Sequence, residues 1–207
     1  MPFPSVDAQA PLALLARCPH AGTTPLVDAP ALAAACNVAA VHIKDERARM
    51  GLGSFKALGA AYVIACDAAS GAARGTTYVT ASAGNHGLSV AAGAAAFGAR
   101  AVIFLANTVP EAFADRLRGI GADVMRAGAD YEASMAAAVA YAEAESAELL
   151  SDSSWAGYAT RPHRLMEGYL ALMAEVFDQI AAPPTHLFLQ AGVGGLAGAA
   201  AAIARAH

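Results

Sequence analysis

Short apolar runs alternate with helical stretches along this chain, and that alternation limits its fold more than any other feature. Val38–Lys44 is a short β-rich run, and Ser54–Cys66 has helical spacing behind a glycine-rich approach. Thr76–Thr80 reads as a strand and Leu88–Phe97 as a helix, with Gly98 as its stop. Ala101–Leu105 is a fully apolar strand. Pro110 opens a helix through Arg118 whose acids come early and bases late, as the helix dipole favours. Ala122–Arg126 is a strand, Tyr131–Glu145 an amphipathic helix, Ala147–Leu150 a strand and Arg161–Ile180 a longer helix. Thr185–Gln190 is the last expected strand and Leu196–Arg205 the last helix. Strands that are apolar along their whole length need cover on both faces, so the pattern predicts an α/β fold around a parallel sheet.

Composition narrows the function. At 207 residues, with 57% hydrophobic and 14% charged residues, the chain can bury a core in one large or two small domains. A net charge of −4 argues against a nucleic-acid partner. Two uncharged stretches, Gly87–Ala99 and Leu187–Ala204, invite a membrane reading. A span needs about 20 mostly apolar residues. The first stretch is too short, and the second carries Gln190 and several glycines, so no membrane partner is expected. The start, MPFPSVDAQA, has no basic and apolar leader pattern. Cys18, Cys36 and Cys66 are far apart, so a reducing cytoplasm is the expected compartment. His20, His42, His163, His186 and His207 lack metal-ligand spacing.

Three turns at the expected carboxyl ends of strands or heads of helices carry the chemistry, because ligands of open α/β sheets bind there. In QAGVGGLAG, Gly192, Gly194 and Gly195 let backbone N–H groups close around an anion at a helix N-terminus. A phosphate fits. Gly192, Gly194 and Ala197 also match the dinucleotide pattern, which further needs an acidic residue about 20 positions on. A tight turn without a ligand is the third option. In GLGSFK, Lys56 is one of only two lysines and stands at a helix start in an apolar setting. Such a lysine suits imine or general-base chemistry, against the plainer alternative of a snorkelling surface lysine. In TASAGNHG, Ser82, Asn85 and His86 offer polar groups and Gly84 and Gly87 allow close approach. That turn could bind a carboxylate or simply cap a helix.

Together the turns supply an imine-forming lysine, an asparagine beside an anion site and a phosphate cup, a set that suits pyridoxal 5′-phosphate. The order S-x-K, S-x-G-N-H-G, G-x-G-G-L-x-G resembles the fold-type II pyridoxal-phosphate enzymes, the tryptophan synthase β and threonine dehydratase group. The resemblance runs from Thr24-Pro25-Leu26 to the end of the chain. Within that group the segments IKDERARMGLGSFKALGAAY, TASAGNHG and SDSSWAGY, with Trp155, are most similar to the diaminopropionate ammonia-lyases. The resemblance implies that Lys56 carries the cofactor as an imine and that Phe55 packs beside its ring. It implies that Asn85 binds the 3′-hydroxyl, and that Gly192, Val193, Gly194, Gly195 and Leu196 cradle the phosphate. Ser82 and the backbone of Ala83, Gly84, Asn85 and His86 would take the substrate carboxylate, with Asp152 near the substrate amino group.

The implied architecture is the tryptophan synthase β-like, three-layer parallel-sheet fold, truncated at its C-terminus. Residues 1–75 would begin the large cofactor domain, 76–160 would form a small α/β domain, and 161–207 would return to the large domain with the phosphate loop. The implied reaction is β-elimination of ammonia from 2,3-diaminopropionate, with Lys56 and Asp152 catalytic. A small amino acid is the implied substrate and a homodimer the implied assembly. The lyase pattern often has an aspartate before GNHG as the base for a D-substrate. Ala83 stands there and is more like threonine dehydratase, so serine or threonine dehydration remains an alternative. Others are a non-catalytic remnant that binds a phosphate ligand or a partner chain, and a nucleotide-binding domain. Asp45, Glu46, Arg47 and Arg49 read as a solvated charge cluster, Arg116 and Arg118 as dipole complements, and Tyr158 and Tyr169 as packing.

Overall fold

The fold was analysed from a computed structural model, which describes residues 4–206. Met1–Phe3 of the leader reading and His207 lie outside the described residues. The order is α1 (Gln9–Leu15), β1 (Leu26–Asp28), α2 (Pro30–Cys36), β2 (His42–Lys44), a 3-10 turn (Glu46–Gly51), α3 (Ala57–Ala69), β3 (Thr77–Ala81), α4 (Asn85–Ala96), β4 (Arg100–Leu105), α5 (Glu111–Ile120), β5 (Asp123–Arg126), α6 (Tyr131–Ala144), β6 (Glu148–Leu149), α7 (Thr160–Gln179) and α8 (Gly195–Ala204).

Four strands form a parallel sheet in the order β5-β4-β3-β6. Strand side chains alternate between faces. Tyr78, Ala101, Ile103 and Leu105 therefore join one core with α3 and α4 residues, while Val79, Ala81, Val102 and Phe104 join a second core with Ala138 and Ala142 of α6. That double cover is why these strands are apolar throughout. The chain runs from β3 outward to β4 and β5, then crosses back to β6 on the other side of β3. The crevice beyond the β3 and β6 carboxyl ends is the topological switch point, where ligands of such sheets bind.

A helical layer carries the rest. α7 packs against both α3 and α8. Close approach requires glycine at two places. A Cβ on Gly168 of α7 would strike the Leu58 carbonyl oxygen of α3, and one on Gly59 of α3 would stand 2.7 Å from the Tyr169 hydroxyl of α7.

Some expected elements differ. The Val38–Lys44 run shortens to His42–Lys44 and pairs antiparallel with Leu26–Asp28, outside the parallel sheet. The expected strand Thr185–Gln190 is not one among the described residues: it forms no ladder, and Phe188 is 91% exposed. Its apolar sequence meets the propensity of a strand, but a strand also needs a neighbour for its backbone groups. The charge cluster also departs from expectation. Arg47 and Asp45 do form an exposed pair, but Arg49 is fully buried. Its guanidinium donates to both carboxylate oxygens of Glu175 at 2.8 and 2.7 Å, to both of Glu46 at 2.8 and 2.7 Å, and to the Gly22 carbonyl at 3.0 Å. Lys44 donates to Glu175 at 2.6 Å, to Gln179 at 2.9 Å and to the Thr24 carbonyl at 2.6 Å. Thr24 completes the clasp through its hydroxyl, which bonds Glu46. These buried charges tie the segment leading to Lys56 onto α7.

Candidate active site

The site is built where α3 begins and β3 and β6 end. Lys56 is the residue just before α3, reached through a loop in which Met50, Gly51 and Gly53 adopt left-handed φ values of 51°, 71° and 88°. Its side chain is one-fifth exposed, and Nζ donates a 2.6 Å hydrogen bond to Asp152 Oδ2. Burial by itself raises the Asp152 carboxyl. The charge and hydrogen bond of Lys56 outweigh it and hold the group below its usual range.

Asp152 is fixed from its own loop. The Tyr158 hydroxyl donates to the Leu149 carbonyl at 2.8 Å and accepts from the Ser151 N–H at 3.0 Å. Trp155 and Tyr158 pair across a β-bridge and stack with centroids 4.3 Å apart. The SDSSWAGY segment is thus a closed clip on the end of β6. Burial pushes the Tyr158 phenol up to about 12, so it remains a donor at neutral pH.

The TASAGNHG turn is shorter than expected, because Asn85 already begins α4 with Gly84 as its cap. Ser82 Oγ accepts from the N–H groups of Gly84 at 3.2 Å and Gly87 at 3.1 Å. Its hydroxyl oxygen is therefore engaged in holding the loop. Ala83 and Asn85 are exposed at the mouth. His86 is buried, and its Nε2 lies 2.8 Å from the Leu150 carbonyl. That oxygen accepts, so Nε2 carries the proton. Burial drives the imidazole pKa down, leaving a neutral ring whose Nδ1 lone pair has no partner among the described residues. His86 thereby joins the asparagine turn to the strand that delivers Asp152.

The glycine turn closes the opposite end. Gly194 has φ +87°, and α8 begins at Gly195. A Cβ on Gly192 or Gly194 would meet nothing within 4 Å, so the cup is open, with Val193 exposed and Leu196 buried beneath it. Between the cup and the lysine lies Tyr169 of α7. Its ring meets Phe55 edge-on at 5.2 Å, and Lys56 Nζ is 5.9 Å from its centroid. A Cβ on Gly195 would stand 3.5 Å from the same ring. The Tyr169 hydroxyl is buried and has no partner among the described residues. Tyr169 reads as packing from the sequence, because a helix-face tyrosine gives no signal of what it abuts 113 positions away, where Lys56 stands.

The structure thus brings together Phe55, Lys56, Asp152 and the head of the glycine helix, and puts Ser82–His86 on the adjoining strand end. A cavity of about 610 Å³ elsewhere, lined by Leu14, Cys18, Ala61 and Phe97, has none of these residues in its wall. Among the described residues no cluster of His, Cys, Asp or Glu is arranged to hold a metal, and no helix is long and apolar enough to cross a membrane.

A family model described as pyridoxal-phosphate dependent enzyme matches residues 18–207. The chain belongs to the pyridoxal-phosphate dependent enzyme family. Its relatives include the diaminopropionate ammonia-lyase of Salmonella typhimurium, 34% identical over 211 residues that cover 90% of this chain and 52% of that protein. The biosynthetic L-threonine dehydratase of Haemophilus influenzae is 32% identical over 158 residues, 76% of this chain and 28% of that protein. Apo diaminopropionate ammonia-lyase of Escherichia coli superposes with a TM-score of 0.91 at 29% identity, covering 97% of this chain and 60% of that one. The fold expected from the sequence is thereby established as that of fold-type II enzymes. The chain spans about half the length of the ammonia-lyase relatives it matches. Pyridoxal phosphate is the family's cofactor, and the residues present fit it: an amine beside a carboxylate and an open glycine cup at a helix start.

Proposed function

We propose that this chain carries the cofactor and chemical machinery of a pyridoxal-phosphate dependent ammonia-lyase acting on 2,3-diaminopropionate. The observation that carries the reading is the 2.6 Å contact of Lys56 Nζ with Asp152 at the switch point of the sheet. Lys56 would hold the cofactor, with Phe55 beside its ring, Asn85 at its 3′-hydroxyl and residues 192–196 at its phosphate. When bound, the cofactor supplies an electron sink for the α-carbon of an amino acid.

The chain's own residues do the rest. The N–H groups at the start of α4, on the Ser82-braced loop, receive the substrate carboxylate. The Lys56 amine takes the α-proton. The bond from the β-carbon to its nitrogen then breaks with the electron pair leaving on nitrogen. Asp152 passes the proton held at Lys56 to that departing amine, releasing ammonia. The remaining enamine acid takes up water and yields pyruvate and a second ammonia. A small amino-acid substrate, a cytoplasmic setting and a homodimer accompany this reading.

A second reading, serine or threonine dehydration, is favoured by Ala83 at the exposed mouth of the α4 loop and by the threonine dehydratase relatives. Pyruvate, 2-oxobutyrate and ammonia release from diaminopropionate, serine and threonine separates the two. Ammonia from diaminopropionate, abolished by Lys56→Ala, is the result expected. A folded chain that takes up cofactor without turnover would instead favour a non-catalytic role.

A further inference from the structure

Asp152 is delivered by the shortest strand of the parallel sheet. β6 has two residues, lies at the sheet edge and pairs only as Tyr78↔Glu148 and Val79↔Leu149. One bond from the Leu150 N–H to the Val79 carbonyl, at 2.7 Å, extends it. So short a ladder makes few bonds to fix its register. A side-chain clamp adds to them. The Arg161 guanidinium donates to Asp67 Oδ2 and, at 2.8 Å, to Glu148 Oε2. The Tyr78 hydroxyl donates to the same Asp67 oxygen at 2.7 Å. Burial and the Asp67 carboxylate hold that phenol well above its ordinary value, so it remains a donor. Four elements meet in this clamp: α3 through Asp67, β3 through Tyr78, β6 through Glu148 and α7 through Arg161.

Arg161 stands in the first turn of α7, where the helix dipole opposes a cation. What it gains there is closure of the Asp152 loop. Glu148 lies four residues before Asp152 and Arg161 nine after it, so their bridge joins the two feet of the loop that carries the aspartate and the Trp155–Tyr158 stack. The other arm ties that base to Asp67 near the tail of α3. Lys56 stands at the head of the same helix, about 16 Å away along its axis. The Lys56–Asp152 contact and the clamp thus pin the same two elements from opposite ends.

We infer that Arg161 is a positioning residue for Asp152: by bridging Glu148 to Asp67 it holds the aspartate's loop at the distance from Lys56 that their hydrogen bond requires. The inference rests on the same Lys56–Asp152 contact as the proposed function and adds the device that sets it.

A water-soluble carbodiimide joins an amine to a carboxylate only where the two touch. The Lys56–Asp152 amide, formed in the full chain before cofactor is added and counted by peptide mapping, therefore reads the contact directly. Yields are compared well below each protein's unfolding midpoint, where a residue that only stabilises the fold leaves them unchanged. Arg161→Met should lower the amide about fivefold, the weight of two partly exposed ion pairs. Glu148→Gln cuts only the half-exposed arm, at little risk to folding, and should lower it about twofold. Arg161→Lys keeps the charge but reaches one carboxylate at a time, and should recover part of the yield. Arg100→Ala removes an exposed bridge to Asp123 elsewhere in the sheet and should change nothing. Unchanged yield in both Arg161→Met and Glu148→Gln overturns the inference, and so does an equal fall in Arg100→Ala. If the unsubstituted chain forms no amide between Lys56 and Asp152, the contact fails and the inference with it. The expected falls in a chain that releases no ammonia from diaminopropionate would overturn the proposed reaction and leave the inference standing.

Discussion

Lys56 and Asp152 are 96 residues apart in sequence and 2.6 Å apart at Nζ and Oδ2. The contact exists because two independent devices converge. A left-handed loop, held down by the Arg49 clasp, delivers the lysine to the head of α3. The Tyr158 clip delivers the aspartate to the end of β6. Neither device touches the other's residue, so each can be altered separately.

Asp152→Asn tests the division of labour. The amide keeps the side-chain shape but neither balances the lysine charge nor relays a proton. Covalent labelling of Lys56 by the cofactor should persist, while ammonia release falls by about 10²–10⁴-fold, the usual weight of a positioned acid–base group. Peptide mapping and an ammonia assay on the same preparation check both. Loss of labelling together with turnover would assign Asp152 to cofactor attachment instead.

The clasp predicts a pH dependence. Burial raises the Glu175 carboxyl, but its hydrogen bonds from Arg49 and Lys44 and their charges lower it below its ordinary 4.5. A depressed acid stabilises the fold fully above its unfolded value and loses that contribution as pH falls through the folded one. Thermal stability should therefore decline as pH drops below about 4.5. Glu175→Gln should flatten this acid limb and, at neutral pH, destabilise by about 1.5–3 kcal/mol, because buried Arg49 and Lys44 lose one charged acceptor while Glu46 still faces Arg49. Unfolding midpoints across pH for both proteins decide it.

Glycine packing predicts an asymmetry between two alanine substitutions. At Gly168 the added methyl would strike the Leu58 carbonyl and come 2.9 Å from Tyr62 Cβ, both parts of α3. Helices pressed apart here should lose about 1–3 kcal/mol. At Gly22 a Cβ meets nothing within 4 Å, so the same change should be close to neutral. Denaturant midpoints for Gly168→Ala and Gly22→Ala provide the comparison.

These contacts show what was readable in advance. The parallel sheet was legible because Ala101–Leu105 feeds alternate residues into two cores, which leaves an unbroken apolar run. Lys56 was legible through its glycine approach, and the glycine cup through its spacing. Arg49 was not: its burial depends on Glu175, 126 positions away, and charges adjacent in sequence look solvated whether or not a distant carboxylate receives them. Thr185–Gln190 misled in the other direction, since apolar alternation specifies a willingness to pair and the partner is a matter of tertiary structure. Tyr169 reads as packing because a helical tyrosine reveals nothing of its buried hydroxyl, unpartnered among the described residues, until the ring's neighbours are known.

Ala83 carries the last prediction. It is exposed where the α4 loop opens, one residue after the Ser82 hydroxyl that braces that loop. Lys56 and Asp152 form one acid–base pair, and alanine offers no second proton acceptor at the loop. With a single base, only one face of a bound α-carbon is served, so turnover should be confined to one enantiomer, expected to be the L-form. A carboxylate introduced as Ala83→Asp would stand at the loop with its own access to the site and should add turnover of the D-form. Lys56→Ala in the same background should still abolish cofactor labelling. Ammonia release from D- and L-diaminopropionate by the two chains is the measurement. Equal rates on both enantiomers before substitution would show that another group already serves the second face.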